Sequence, residues 1–206
     1  MILIALLIGI LASTIGALPL GAANIAVLNT TLDQNTRQAL KIAFAAGLAE
    51  VMLSIFAVHC NMEAKDFFED NQWIQIVIAA IMLLAGVFFV YKAYVKSTSK
   101  PPKMKSKYLT GFLLGLVNPP VIIYWLLVIN LINSRFDSLE ITSSTTILIV
   151  FLVGVYLGKV LTLWGYAKMG KRLSDKMKQT QIKMNYIIGI GLVVIGCFQL
   201  GKLFVA

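Results

Sequence analysis

Gly16-Ala-Leu-Pro19-Leu-Gly21-Ala-Ala-Asn24 and Gly111-Phe-Leu-Leu-Gly115-Leu-Val-Asn118-Pro119-Pro120 are the two stretches that decide the fold of this chain. Each interrupts a long apolar segment, and the two lie at matching places in the two halves of the sequence. A proline inside a helix removes a backbone hydrogen bond and clashes with the preceding turn, at a cost of about 3 kcal/mol. In lipid, such a break is tolerated only where protein or a water-filled cavity satisfies the freed backbone groups. The stretches therefore predict two broken helices.

Around these breaks the chain is too apolar for a soluble protein. Of its 206 residues, 59% are hydrophobic and 13% are charged, whereas soluble domains carry roughly 25% charged residues. Apolar stretches of about 20 residues, the length that crosses a bilayer, recur along the sequence. They predict an all-α integral membrane protein with six transmembrane helices, at about 2–29, 39–59, 73–95, 108–132, 145–167 and 184–203.

The basic residues predict how these helices are oriented. The first, third and fifth connections between spans hold 14 of the 18 Lys and Arg residues, and the other connections and the C-terminus hold only Lys65, Arg135 and Lys202. Because basic loops stay cytoplasmic, both termini are predicted to be extracytoplasmic. The net charge of +9 is therefore read as a topology signal that also favours contact with the lipid bilayer, and no nucleic-acid partner is expected.

Two other interpretations of the sequence are disfavoured. A cleaved signal peptide needs a basic N-terminal region, and no Lys or Arg precedes Arg37. A metal centre needs more ligands than the neighbouring His59 and Cys60 offer. We expect no metal and no cofactor.

The predicted spans divide into two groups of three within a single transmembrane domain, 1–206. Repeat one covers 1–95 and repeat two covers 108–206, and the basic, proline-containing linker 96–107 joins them. Since each half holds an odd number of spans, the second half lies upside down relative to the first. This 3+3 inverted repeat, with helices 1 and 4 broken, is typical of many secondary transporters.

Two GxxxG pairs, Gly111/Gly115 and Gly154/Gly158, predict faces on which helices approach closely. Such faces are either ordinary packing seams or parts that move during transport. They also allow a homo-oligomer.

The polarity of the broken helices predicts an anion site near the bilayer midplane. The half-helix that begins near Pro19 runs inward and the one that begins at Pro119 runs outward, so their N-termini lie at a similar depth. A helix N-terminus exposes free N–H groups and about half a positive charge, which suits a carboxylate. Asn118 fits an N-cap before an N1 proline, and Gly21 and Asn24 belong to the first break, where Asn24 could line the same cavity. Two kinked helices without a ligand are the alternative.

Two ionisable residues lie inside predicted spans, Glu50 in the second and Lys159 in the fifth. An intramembrane charge costs at least about 2.5–3.5 kcal/mol and so marks a functional site by default. Glu50 could exchange protons or receive a substrate ammonium group, since burial would favour its protonated form. The two residues could instead form an ion pair that only stabilises the fold, and Lys159 could extend to the cytoplasmic interface near Lys168.

Three aromatic residues near span ends, Tyr124, Trp125 and Trp164, are typical of the interfacial belt. Only Tyr124 lies close enough to a break to suggest that it lines a pocket. The sequence shows no arrangement of a nucleophile with its base and no phosphate-binding loop, so an enzyme is not expected.

A series of motifs covers essentially the whole chain: the Pro/Gly break of the first span, Arg37-Gln-Ala-Leu, Glu50, Gly86-Val-Phe-Phe-Val-Tyr91-Lys-Ala-Tyr, Gly111-Phe with Asn118-Pro119, and Gly189-Ile-Gly191 to Gly196. Together they resemble the lysine-exporter-type translocators, small bacterial inner-membrane proteins that export amino acids and related metabolites. Two motifs depart from this family. Its Pro-Gly-Pro is Pro19-Leu20-Gly21 here, and its Asn-Pro-Lys is Asn118-Pro119-Pro120. The breaks and Glu50 carry over, whereas the missing lysine prevents transfer of the substrate class.

The resemblance implies a secondary transporter that exports amino acids or similar small zwitterionic metabolites across the bacterial cytoplasmic membrane by alternating access. The substrate carboxylate would rest on the half-helix N-termini near Pro19 and Pro119. Glu50 would bind the amino group or carry a coupling proton or other ion. The alternatives are an inorganic cation exporter, for which the spans offer few acidic ligands beyond Glu50, and a non-transporting membrane scaffold or regulator that assembles through its GxxxG faces.

Overall fold

The computed structural model describes residues 1–18, 21–70, 72–95, 106–135 and 144–205, and this part of the chain is helical apart from short connections. The helices are α1 Ile2–Ala17, α2 Ala22–Asp33, α3 Thr36–Asp70, α4 Gln72–Tyr94, α5 Lys107–Leu116, α6 Pro119–Arg135 and α7 Thr145–Val205. The predicted all-α class is confirmed for these residues. Pro19, and linker residues 96–105, lie outside them.

Both predicted breaks are present as bends between consecutive helices. The axes of α1 and α2 differ by 76°, and those of α5 and of α6 over Val121–Ile129 differ by 58°. The second half-helix of the first pair begins at Ala22 with Gly21 as its extended N-cap, rather than near Pro19. The second half-helix of the other pair begins at Pro119, as predicted.

The predicted membrane spans are confirmed in part. Thr36–Cys60 and Thr145–Gly170 are long and apolar enough to cross a bilayer, and counting each bent pair as one span raises the number to four among the described residues. Asn185–Phe198 is a shorter apolar stretch. Six spans in an inverted 3+3 arrangement therefore stay a prediction.

Two helices extend beyond the predicted spans into the predicted connections between them. α3 continues to Asp70, and α7 includes the basic stretch 168–183. That stretch contains a single glycine, Gly170, and no proline, and it is rich in Lys, Arg, Met and Gln. These residues lower the hydropathy that marks a span, but they are good helix formers. Hydropathy therefore located the apolar segments and missed the helix ends.

The helices form two compact units, each drawn from both halves of the chain. Unit 1 comprises Met1–Met62 and Lys100–Asp175, and unit 2 comprises Glu63–Ser99 and Lys176–Ala206. Each half thus places its first two predicted spans in unit 1 and its third in unit 2. The residues discussed below as a candidate site belong to unit 1.

Unit 1 has two apolar clusters among the described residues. The first includes Ala5 of α1, Trp125 of α6 and Phe151 of α7. The second consists mainly of alanines of α2 and α3 with Leu163 of α7. In keeping with this, α1 contacts α6 and α2 contacts α5, so the two bent pairs lie side by side.

In unit 2, α4 and α7 meet at a reciprocal glycine contact. A Cβ added to Gly86 of α4 would lie 2.8 Å from the Gly189 carbonyl oxygen, and a Cβ added to Gly189 of α7 would lie 2.8 Å from that of Gly86. Only glycine permits two helix backbones to approach so closely.

Candidate functional site

Glycine seams set the positions of the half-helices α1 and α5. The GxxxG pair of α7 packs on α1: Gly154 contacts Gly9, and a Cβ on Gly158 would lie 2.5 Å from the Ile10 carbonyl oxygen. The GxxxG pair of α5 packs on α3: a Cβ on Gly111 would lie 2.8 Å from Ile42 Cα, and one on Gly115 would lie 2.7 Å from Ala49 Cβ. Both predicted close-packing faces are confirmed, and both serve as seams within unit 1.

These seams bring together the two ionisable residues that the sequence singled out. Lys159, which follows Gly158, places its Nζ 2.9 Å from Oε2 of Glu50, which follows Ala49. The side chains of Glu50 and Lys159 are 1% and 5% exposed. Lys159 therefore forms a buried ion pair and does not extend to the cytoplasmic interface.

Trp125 adds a third residue to the pair. Its indole Nε1–H donates to Glu50 Oε1 at 3.1 Å, whereas Oε2 has the charge contact with Lys159 and no hydrogen bond among the described residues. The indole is fully buried and meets the Phe151 ring edge to face, with centroids 6.1 Å apart. The prediction that Trp125 belongs to an interfacial belt was wrong, because the residue lies two turns into α6 and faces the Glu50 carboxylate. Trp164, by contrast, is partly exposed and carries Lys168 Nζ 3.9 Å from its ring centroid.

Tyr124, the residue before Trp125, contacts the last turns of α1. Its hydroxyl donates to the Ala12 carbonyl oxygen, and its ring occupies the space beside Gly16, where an added Cβ would lie 2.5 Å from Cε1. The ring also stacks edge to face against Trp125, at 5.6 Å between centroids. Tyr124 thus links the last turns of α1 to Trp125, and its place in the lining of a pocket stays a prediction.

Two further side chains satisfy carbonyl groups at the C-terminal end of α1. Asn24 is buried and its Nδ2 donates to Ala17 O at 2.7 Å, across the break. The Tyr166 hydroxyl donates to Leu18 O, and Tyr166 is also hydrogen-bonded to the Asn24 side chain. The last carbonyls of a helix lack intrahelical partners, so these bonds from α2 and α7 stabilise the bend. In this structure the Asn24 side chain therefore caps a carbonyl group at the C-terminal end of α1.

The two half-helix N-termini differ in what they offer an anion. At the start of α2, the N–H groups of Ala22 and Ala23 have no intrahelical acceptor. At the start of α6, residues 119 and 120 are prolines without N–H groups. The next two N–H groups, of Val121 and Ile122, both donate to Asn118 O, at 2.9 Å and 3.3 Å. Asn118 therefore takes the predicted N-cap position, but the first turn of α6 offers an anion its dipole and no free N–H group.

Several residues of this arrangement were missed from the sequence. The sequence places Trp125 in the interfacial belt, and it does not identify Tyr166 or Ser13 as site residues. Ser13 is fully buried beside Gly158, and its Oγ has no hydrogen-bond partner among the described residues. A hydroxyl or an indole can be identified as a site residue only when its helix is known to face the intramembrane charge. Sequence spacing alone does not show which helices face each other.

Comparison with known proteins gives one match. The model of the LysE type translocator family matches residues 14–202, a range that includes both breaks and the buried pair and begins in the last turn of α1. No curated protein and no solved structure matches significantly. Because the match covers most of the sequence, the chain belongs to the LysE type translocator family.

Proposed function

We propose that this protein is a secondary transporter that exports amino acids or similar small zwitterionic metabolites from the bacterial cytoplasm by alternating access. Membership of a translocator family supports a multi-pass membrane protein that moves a small-molecule solute. The observation that carries the proposal is the buried Glu50–Lys159 pair, held between two bent helix pairs that contact each other, α1 with α6 and α2 with α5. Broken helices beside an intramembrane charge are the usual construction of a transporter's binding site.

The substrate carboxylate is proposed to bind at the start of α2. Ala22 and Ala23 keep N–H groups without an intrahelical acceptor, and Gly21 leaves the backbone open to a ligand. The start of α6 contributes the positive end of its dipole. This refines the sequence-based expectation, in which both N-termini donate N–H groups to the carboxylate.

Glu50 is proposed to bind the substrate ammonium group or to carry the coupling proton. The Glu50 carboxylate is fully buried and contacts the Lys159 ammonium group and the Trp125 indole. Both roles require the acid. Glu50→Gln should therefore lower export by at least about tenfold, because a neutral amide attracts an ammonium group much more weakly than a carboxylate does. The matched control is Asp33→Asn, which makes the same change at an exposed position at the end of α2.

The test is metabolite profiling of medium and cytoplasm in cells that lack the protein, produce it, or produce either variant in equal amount. We expect amino acids to accumulate outside with the unchanged protein and with Asp33→Asn, and to stay inside with Glu50→Gln. Unchanged export and unchanged pH dependence in Glu50→Gln would rule out this role for the acid. Equal profiles with and without the protein would favour the scaffold or regulator, and a change confined to metal content would favour a cation exporter.

Access to the breaks separates a transporter from a scaffold. Single cysteines placed at residues 16–24 and 115–120, in a background without Cys60 and Cys197, should react with a small water-soluble maleimide, and an added substrate should slow the reaction. A scaffold with two closed kinks predicts no labelling at any of these positions.

A further inference from the structure

The Glu50–Lys159 pair has no net charge, and the site around it provides no further ion. Among the buried side chains that the structure describes, the ionisable ones are Glu50 and Lys159, and the other polar ones are neutral: Ser13, Asn24, Thr30, Ser54, Thr110 and Asn185. Whatever binds here must therefore be compensated by these two charges. In a medium of low polarity, removing one partner of such a pair leaves a strongly unfavourable lone charge.

The contacts of the pair leave capacity for a ligand on both partners. An ammonium group carries three donors, and a carboxylate accepts about four hydrogen bonds. Lys159 uses one contact, to Glu50 Oε2, and Glu50 receives that contact and the bond from Trp125. Ser13, on the α1 face that packs against Gly158, adds a buried hydroxyl without a hydrogen-bond partner within the described part of the chain.

We infer that the Glu50–Lys159 pair is an exchange site for one net-neutral zwitterion. The substrate ammonium takes the place of Lys159 at Glu50, while the substrate carboxylate takes the place of Glu50 at Lys159. This inference rests on the proposed function and adds a prediction of which amino acids the protein selects. Both protein charges keep a partner throughout the exchange, so the barrier of leaving either one unpaired does not arise.

The exchange excludes substrates that carry a net charge. Lysine or arginine would bring a second ammonium group, and aspartate or glutamate a second carboxylate, and neither would find a counter-charge among the described buried side chains. Net-neutral amino acids such as leucine and threonine meet no such penalty. A pair that only clamps the helices together would make no distinction on this basis.

The test uses proteoliposomes that contain the purified full-length protein and an equimolar load of leucine, threonine, lysine and glutamate, with efflux followed by mass spectrometry. We expect leucine and threonine to leave at least about tenfold faster than lysine and glutamate. The free-energy cost of an uncompensated intramembrane charge is larger than the free energy that corresponds to a tenfold ratio of rates. In Lys159→Gln the remaining charge is negative, so the ratio of lysine to leucine efflux should rise by about tenfold or more. The control Lys168→Gln removes an exposed lysine and should leave both ratios unchanged.

A second variant covers the case in which Lys159→Gln does not accumulate in the membrane. Glu50→Gln together with Lys159→Gln leaves no buried ion and is expected to fold, because neutral replacements of a buried pair are often tolerated. It should export leucine at least about tenfold more slowly than the unchanged protein. Leucine export at the unchanged rate in this variant would overturn the inference.

The outcomes separate the inference from the function on which it rests. If liposomes with the unchanged protein release no amino acid faster than protein-free liposomes, the proposed function is wrong. If they release leucine, lysine and glutamate alike, the function stands and the exchange site is wrong. The exchange site is also wrong if neutral amino acids are preferred and Lys159→Gln leaves that preference intact.

Discussion

Ser13 shows what a single side chain contributes to unit 1. Its hydroxyl is fully buried on α1, and no described residue accepts or donates a hydrogen bond to it. Burying a hydroxyl without a partner costs about 1–3 kcal/mol. We expect an intermittent partner, such as a substrate, to satisfy this hydroxyl during transport.

Replacement of Ser13 separates stability from transport. We expect Ser13→Ala to raise the free energy of unfolding by about 1 kcal/mol and to slow amino-acid efflux. Ser54→Ala is the matched control, because that buried hydroxyl already donates to Val51 O at 2.8 Å and its loss should bring no gain. Thermal unfolding in detergent and the proteoliposome assay measure the two effects. A clear loss of stability in Ser13→Ala would show that the hydroxyl has a partner in the folded protein.

The residue scale also shows how far sequence reasoning reached. The presence of Glu50 and Lys159 within apolar spans was enough to nominate both, because an intramembrane charge is rarely tolerated without a purpose. The sequence left their pairing open as one of several alternatives. The 2.9 Å contact and the bond from Trp125 needed the structure, because these contacts join residues on three helices whose facing sides depend on packing.

At the scale of elements, glycine placement decides which helices touch. Gly111 of α5 lies against the backbone of α3, with a hypothetical Cβ only 2.8 Å from Ile42 Cα. Gly165 of α7 has nothing within 4 Å of the same hypothetical atom. Both glycines lie within apolar helices, but Gly111 belongs to a GxxxG pair and Gly165 does not.

Alanine substitutions at these glycines should therefore have opposite effects. Gly111→Ala forces the α5 and α3 backbones apart and should lower the free energy of unfolding by about 1–3 kcal/mol. Gly165→Ala should raise it by up to about 1 kcal/mol, because alanine is the better helix former. Denaturation in detergent with equal lipid content compares them. Equal effects would mean that the α5–α3 seam does not limit stability.

The broken elements were predicted correctly in place and only partly in chemistry. Proline and glycine positions are enough to locate a break, since the missing N–H group and the steric clash are properties of the residue itself. Which backbone groups stay available is a matter of the turn that forms. At α6 two prolines and the Asn118 carbonyl occupy the first turn, so the expected N–H donors are absent there and remain at α2.

For the whole molecule, loop charge makes a prediction about orientation. The basic connections should stay cytoplasmic, which puts both termini outside. In a background without Cys60 and Cys197, Ala206→Cys should react with a membrane-impermeant maleimide in spheroplasts, and Ser99→Cys only after permeabilisation. The reverse pattern would invert the topology, and with it the direction in which α2 and α6 point.

The division into units reflects the whole chain as well. Each half of the sequence gives its first two predicted spans to unit 1 and its third to unit 2. The predicted repeats, 1–95 and 108–206, therefore each contribute to both units. Helices assort by the faces that they can bury, and in unit 2 the reciprocal contact of Gly86 with Gly189 joins segments that lie far apart along the chain.

The sequence by itself determined the membrane class, the two breaks and the two charged residues within apolar segments, and it predicts an orientation. These follow from properties that each residue carries with it: transfer free energy, a missing N–H group, or a formal charge. Only the tertiary structure decided that Lys159 neutralises Glu50, that Trp125 is buried against the Glu50 carboxylate, and that the first N–H groups of α6 donate to Asn118 O. Those features depend on close approach between helices, and hydrogen bonds and ion pairs act over a few ångströms that no linear pattern specifies. The two interrupted segments therefore mark where this translocator is broken, and the packing around them defines the charges that a solute would meet.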